Sequence, residues 1–530
     1  MNRAARRTAG VLAVVIIASV TAACVGGPAA PSPSAAGSVP GLPAAALEMM
    51  QQPQYAQGRW LVSVQDIDTG EVLIDLDADT MAEPGSFVKT YSAGAAWVKW
   101  GPDHTVTTPV KQTGTLAGGT LTGDLVLVGQ GDLTLGGRTK ADGTVDYANL
   151  DHNDANPLPG ATLTPEDPLT GLDELAAQVK ASGITTVNGD VVVDDRLFQG
   201  TLARQPITPI IVNQNLLDLL VTPGAAAGDP AIVALTPAVA PWTVRNEVTT
   251  VAAGEAAKLE DPVLDPGDPH TIVMQGTVAA GSDPALKVWA FADPATFART
   301  AFIEALARAG VTVSADPLAD NPDASLPAED AVTALPSVAE LESLPLGEEV
   351  TYVMKISYNR GAQTLICLLA AAAGDPTCEE GLGQAQEIWA DAGLDTLGAS
   401  LVDGSGLEGN FITPRNAVDI QTIMADRPDA ERWKATLPIL GVDGSLSDVQ
   451  PESPAAGEVF AKTGTLLAGD SFNGRYRLVT KTLGGVMDTA GGRHLAFTIM
   501  VNQGFVPTLQ GVFQANDDVG AVAAAIQQAY

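Results

Sequence analysis

A chain of 530 residues with 62 acidic and 28 basic side chains carries a formal charge of −34. It is long enough for about two to four domains and a large core. A field of that sign argues against nucleic acid or an anionic membrane surface as a partner bound through general charge, and it makes any local cationic hole conspicuous.

The N-terminus reads as an export signal: Arg3, Arg6 and Arg7, the apolar run Val11 to Val20, and Thr21-Ala22-Ala23 before Cys24. The apolar run is too short to span a bilayer comfortably. A cysteine directly after two alanines resembles a bacterial lipoprotein signal, in which Cys24 is lipidated and attaches the chain to a membrane. Thr21 stands where Leu is usual there, and ordinary cleavage nearby is the alternative. Residues 1–24 are therefore a signal segment. Residues 25–44, with the Pro/Ala/Ser-rich run Pro28 to Pro43, form an extended spacer.

Trp60 to Val64 and Val72 to Leu76 flank Asp68-Thr69-Gly70, a predicted hairpin. Pro84-Gly85-Ser86-Phe87-Val88-Lys89 then leads into the apolar run Tyr91 to Trp97. In a helix begun at Ser86, the i, i+3 spacing puts Ser86 and Lys89 on one face at the amide-rich end. A neutral hydroxyl needs a base to act as nucleophile, and a buried lysine that has lost its proton is one. No other serine here is followed three residues on by lysine. The bland alternative is a chance pair on a solvated helix.

Next come predicted strands at Thr105 to Gln112 and Leu125 to Val128, with a turn at Gly118-Gly119, then a helix at Leu172 to Ala181 and a strand at Val191 to Val193. Pro206 to about Pro284 alternates Val/Thr/Ile runs with Pro/Gly turns, a small β subdomain. Asp293-Pro294 opens a helix to Ala309, and a Pro/Asp/Ala-rich linker spans about Asp316 to Pro336. Helix returns at Glu348 to Ile356, directly before Ser357-Tyr358-Asn359. Arg415 to Ile423 and Asp429 to Thr436 are helical. Val459-Phe460-Ala461 starts a strand that carries Lys462-Thr463-Gly464-Thr465. Leu478 to Met487 and His494 to Val501 are further strands, and a last helix runs from about Val519 to Tyr530, capped by Asn516 or Asp517.

The Lys-Thr-Gly triplet occurs once. Gly464 lets a ligand approach the strand backbone, and Lys462 with the hydroxyls of Thr463 and Thr465 suits a carboxylate. Ser-x-Asn is the weakest signal, since Ser471-Phe472-Asn473 also carries it, after the Lys-Thr-Gly. Three elements in this order resemble the serine–lysine pattern of penicillin-binding proteins and serine β-lactamases. The very long gap from Ser86 to Ser357 resembles the D-Ala-D-Ala carboxypeptidase/endopeptidase family, the class C low-molecular-mass penicillin-binding proteins, which insert extra domains there. Gly123 to Gly129, Asn188-Gly189-Asp190-Val191, Val402 to Leu407 and Gly441 to Leu446 are similar to the family as well. Tyr358, Gln363, Glu408-Gly409 and the long stretch Asp470 to Lys481 depart from its usual pattern.

The resemblance implies an α/β (α+β) fold: a transpeptidase/β-lactamase-like domain whose antiparallel sheet is flanked by helices. That domain comprises residues 45–115 and 337–530, split by an insertion, 116–336, of one or two β-rich domains. It implies a serine peptidase that hydrolyses the C-terminal D-Ala-D-Ala bond of peptidoglycan peptides, or D-Ala-diaminopimelate cross-links, and binds β-lactam antibiotics covalently. Ser86 is then the nucleophile and Lys89, directly or through Ser357, the base. Ser357 returns the proton, and Asn359 orients the peptide. Lys462, Thr463, Gly464 and Thr465 hold the carboxylate, and the backbone N–H groups of Ser86 and Thr465 form the oxyanion hole. A β-lactamase and a non-catalytic wall-binding lipoprotein are the rival readings. No cofactor is required.

Cys367 and Cys378 remain after Cys24, and in an exported chain two such residues commonly pair. A buried thiol at Cys367 and a free one at Cys378 are the alternative. His104, His152, His270 and His494 are scattered and form no metal-ligand pattern. Asp66/Asp68 and Asp517/Asp518 lack calcium-loop spacing and read as turns or caps.

Overall fold

The computed structural model describes residues 39–530. The signal segment, Cys24 and most of the spacer lie outside the described residues. No helix among the described residues is long and apolar enough to cross a membrane.

The two ends of the chain build one antiparallel sheet of five strands, in the order Val72–Leu76, Arg59–Asp66, His494–Val506, Arg475–Asp488, Val459–Asp470. Side chains along a strand alternate between faces, and here both faces are covered. Trp60, Val62 and Val64, with Phe497, Ile499 and Val501, pack under the C-terminal helix, where Val519, Val522 and Ile526 meet them. Leu61 and Met500 point the other way, into a helical layer. That layer holds the helices Lys89–Trp100, Leu346–Lys355, Asn359–Ala372, Gly381–Asp391, Pro414–Ala425 and Ala430–Thr436. The edge strand Val459–Asp470 meets this layer at the turn between the helices Leu346–Lys355 and Asn359–Ala372.

Between Trp100 and Leu346 the chain forms further small sheets. Val191–Asp194, Leu125–Val128, Thr107–Gln112 and Ser337–Glu342 lie side by side, so the strand entering the insertion pairs with the strand leaving it. The stretch from Pro206 to Pro284 is β-rich, with Leu216–Thr222 between Ile232–Thr236 and Ala285–Ala290. Asp293 caps the helix Pro294–Arg308 by accepting from the Thr296 N–H.

Two sequence expectations change. The segment from Asp316 to Pro336 is not a plain linker. The guanidinium of Arg299, fully buried, donates to the carbonyls of Asp316, Pro317 and Ala319, and the Asn321 side chain pairs with the backbone of Val193. A short helix, Glu329–Thr333, follows. The C-terminal helix starts at Gln510, well before Val519. Asp517 and Asp518 lie inside it and bind neighbouring segments: Asp518 accepts from the Tyr55 hydroxyl at 2.6 Å, and Asp517 from the Gln450 N–H at 3.1 Å. Polar contacts that no local pattern encodes let these residues sit within a helix.

Candidate active site

Ser86 lies in a 3₁₀ turn, Gly85–Val88, that runs straight into the helix Lys89–Trp100. Backbone seats this turn. Gly85 has φ +56°, and a Cβ on it would stand 2.7 Å from the Thr465 nitrogen. A Cβ on Gly464 would stand 2.0 Å from the Pro84 oxygen. Only glycine permits approaches this close. They bring Ser86 beside the Lys-Thr-Gly-Thr strand.

The Lys89 ammonium is buried and donates to three oxygens: Ser86 Oγ at 2.8 Å, Asn359 Oδ1 at 2.6 Å and the Ser405 carbonyl at 2.8 Å. Those three contacts use all the donors an ammonium has. Burial pulls its pKa down to about 7, against the attraction of Asp403 and Asp154. The Ser405 carbonyl is presented by a loop wound around the buried carboxylate of Asp403, which accepts from the N–H groups of Ser405 and Gly406 and from the Asn410 amide. The Gly404 N–H donates to Gln363 Oε1 at 2.8 Å, which gives that glutamine its place.

Ser357 has a left-handed backbone, φ 59°, between the helices Leu346–Lys355 and Asn359–Ala372. Its Oγ accepts from Lys462 Nζ at 3.0 Å. Lys462 also donates to the Thr463 carbonyl at 2.9 Å, and Thr463 Oγ1 lies 2.9 Å from Ser445 Oγ. Burial, and then repulsion from Lys89 and Lys481, hold the Lys462 pKa well below the usual lysine range. Tyr358 packs on Tyr352 in the helical layer, with ring centroids 5.5 Å apart. Ser471-Phe472-Asn473 lies in the hairpin between the strands Val459–Asp470 and Arg475–Asp488, with Phe472 exposed. Cys367 and Cys378 are disulfide-bonded, with Cα atoms 4.3 Å apart.

The model of the D-Ala-D-Ala carboxypeptidase 3 (S13) family matches residues 43–511. The chain belongs to that family. A D-alanyl-D-alanine carboxypeptidase of Actinomadura sp. (strain R39) is 31% identical over 445 residues, covering 78% of this chain and 74% of the relative. The carboxypeptidase DacB of Mycolicibacterium smegmatis is 32% identical over 188 residues, a third of this chain (33%) and 38% of the relative. Penicillin binding protein 4 (dacB) from Haemophilus influenzae shares the fold, with a TM-score of 0.65 at 21% identity, over 89% of this chain and 98% of that one. This S13-family chain is thus a serine-type D-Ala-D-Ala carboxypeptidase with the expected α/β fold.

Two charged groups of the site were not singled out in the sequence. Asp154 comes from the insertion, in the turn His152–Asp154, and burial raises its pKa to about 6 while Lys89 and Lys462 pull it down. The neighbouring Asn153 amide donates at 3.4 Å to the Ile356 carbonyl, next to Ser357. An aspartate in a loop carries no signal of such a partner. Lys481 sits across from the Lys-Thr-Gly-Thr strand, and its Nζ donates to Thr465 Oγ1 at 2.6 Å. A signal existed in the sequence, a lysine between Thr480 and Thr482 in the middle of a strand whose other central residues are buried.

Proposed function

We propose that Ser86 carries an acyl-enzyme in the hydrolysis of peptidoglycan stem peptides ending in D-Ala-D-Ala. The observation that carries this reading is the Lys89 Nζ, buried, 2.8 Å from Ser86 Oγ, with a pKa near 7. Ser86 Oγ attacks the penultimate carbonyl carbon while its proton passes to Lys89, neutral at that moment. The N–H groups of Ser86 and Thr465 face the developing oxyanion. One such donor is worth roughly 10²–10³ in turnover. The intermediate collapses, the C–N bond breaks, and the departing D-alanine amine takes a proton from Ser357, which Lys462 resupplies. Asn359 orients the peptide amide. Lys462, Thr463 and Thr465 hold the terminal carboxylate, with Gly464 leaving room for it. Water then attacks the ester carbonyl and gives its proton through Ser357 to Lys462, while Ser86 leaves with the proton held on Lys89, which frees the acid product and restores every group.

Penicillin, whose strained amide and carboxylate imitate that peptide, acylates the same serine. Cross-links between D-Ala and diaminopimelate present a carboxylate beside the leaving amine too, and we include them as substrates. The export signal supports action outside the cytoplasm, with Cys24 as the lipid anchor and residues 116–336 as a module inserted into the catalytic domain.

Fluorescent penicillin tests the reading. A persistent label that peptide mapping places on Ser86, and that Ser86→Ala abolishes, is the expected result. A label lost within minutes makes the chain a β-lactamase, and none at all makes it a wall-binding protein. Mapping to Ser357 or Ser405 would overturn the assignment of the nucleophile.

A further inference from the structure

We propose that Lys481 is a second cation of the carboxylate-binding end of the cleft, acting through the Thr465 hydroxyl to select ligands with a free terminal carboxylate. This deepens the peptidase reading above and rests on it.

Lys481 lies directly opposite Thr465 in the register of the strands Val459–Asp470 and Arg475–Asp488. Directly opposed residues share a face of the sheet, so Lys481 is on the side of Thr465. Its Nζ donates to Thr465 Oγ1 at 2.6 Å, and the residue is only 4% exposed. An ammonium that donates to a hydroxyl occupies one of its lone pairs. The hydroxyl's own proton is then free to be donated elsewhere, and the charge makes it a stronger donor.

A structural role alone does not account for this lysine. Burying a charge to satisfy one hydroxyl costs more than the bond returns, because water satisfies a hydroxyl well. Among the described residues no carboxylate makes an ion pair with Lys481; burial alone lowers its pKa, to about 7. Lys462 is also buried and feels Lys481 as a repelling charge, with Asp154 as the acid that attracts it. Two neighbouring buried ammonium groups are stabilised when an anion joins them. The Lys462 ammonium is turned to Ser357 Oγ and the Thr463 carbonyl. Lys481 thus supplies charge at the Thr465 end, while Lys462 is shared with the proton-transfer serine.

Acylation by benzylpenicillin and by its methyl ester, followed by mass shift over a range of concentrations, tests this. Lys481→Met keeps the length and apolar stem of the side chain without the charge. Lys481→Gln keeps a donor for Thr465 Oγ1 without the charge. Both variants should lose about tenfold or more in acylation efficiency with the free acid. The loss should fall in half-saturation rather than in the limiting rate, with the methyl ester nearly unaffected. Thr465→Val should show the same selective loss, and adding Lys481→Met to it should cost little more. Equal losses with acid and ester, a loss confined to the limiting rate, or full activity in either Lys481 variant would overturn the proposal while leaving the peptidase reading intact. Wild-type protein that penicillin does not acylate would remove both.

Discussion

Lys462 Nζ lies 3.0 Å from Ser357 Oγ, and the serine it holds has the left-handed backbone, φ 59°, that non-glycine residues rarely adopt. The strain places a hydroxyl between the helical layer and the sheet, within reach of the lysine that feeds it a proton in the proposed mechanism. Strain of this kind costs about 1–3 kcal/mol and persists where the surroundings enforce it.

Ser357→Gly should therefore hold or raise thermal stability, by up to about 1 kcal/mol once glycine's extra chain entropy is subtracted. The same change should slow acylation by about 10²-fold or more, the usual worth of a positioned proton donor. Calorimetry alongside stopped-flow acylation reads both effects. A less stable protein that acylates at the wild-type rate would contradict both expectations.

With Lys89 as the proposed base, its pKa of about 7 sets the expected pH profile. Below that value the lysine is an ammonium and cannot take the serine proton; above it the free amine can. Acylation efficiency should rise about tenfold per pH unit below pH 7 and level off above, since the fraction of base follows simple titration. Lys89→Ala should lack both the rate and this limb. A flat profile from pH 5 to 9 in the wild type would show that Lys89 is not the base.

Asp154 attracts the Lys89 ammonium and so raises its pKa. Asp154→Asn should let that pKa fall further, and the acidic limb of acylation should move to lower pH. The limb should stay where it is in a control such as Asp173→Asn, an exposed aspartate that pairs with Arg308. Matched pH–rate profiles of the two variants decide the matter; an unmoved limb in Asp154→Asn would separate that residue from the lysines.

Gly406 has φ +94°, and a Cβ there would stand 1.9 Å from the Gly85 oxygen, next to Ser86. Gly406→Ala must displace one backbone segment or the other, at a cost of roughly 1–3 kcal/mol. Penicillin labelling should fall more than thermal stability does, because the displaced turn carries Ser86, the proposed nucleophile. Labelling at the wild-type rate would mean that the turn absorbs a methyl group freely.

The parts of this site that were legible in the sequence are side chains set in short local patterns of residue types that are rare in context. Ser86 and Lys89 are a single helical step apart. Lys462 sits in a triplet that occurs once. Ser357 was distinguishable from Ser471 only through its order along the chain. The Ser405 carbonyl was not legible, because any residue offers a carbonyl and only the loop around Asp403 aims this one. Asp154 was hidden for a related reason: its partners are fixed by how the insertion folds back. The helical start at Gln510 was missed because Asp517 and Asp518 look like a cap until Tyr55 and Gln450 are seen to claim them.

The strand Arg59–Asp66 pairs with His494–Val506, a partner that lies far downstream and is made long after it. Until then its apolar residues and its free backbone edge have no sheet to join. Non-local pairings of this kind fold slowly and leave sticky edges open meanwhile. Under the export proposed above, Trp60 to Val64 must therefore be kept shielded for the whole passage. Truncation anywhere before His494 leaves that strand permanently without its neighbour, so C-terminal loss should end in aggregation or degradation rather than in a smaller enzyme.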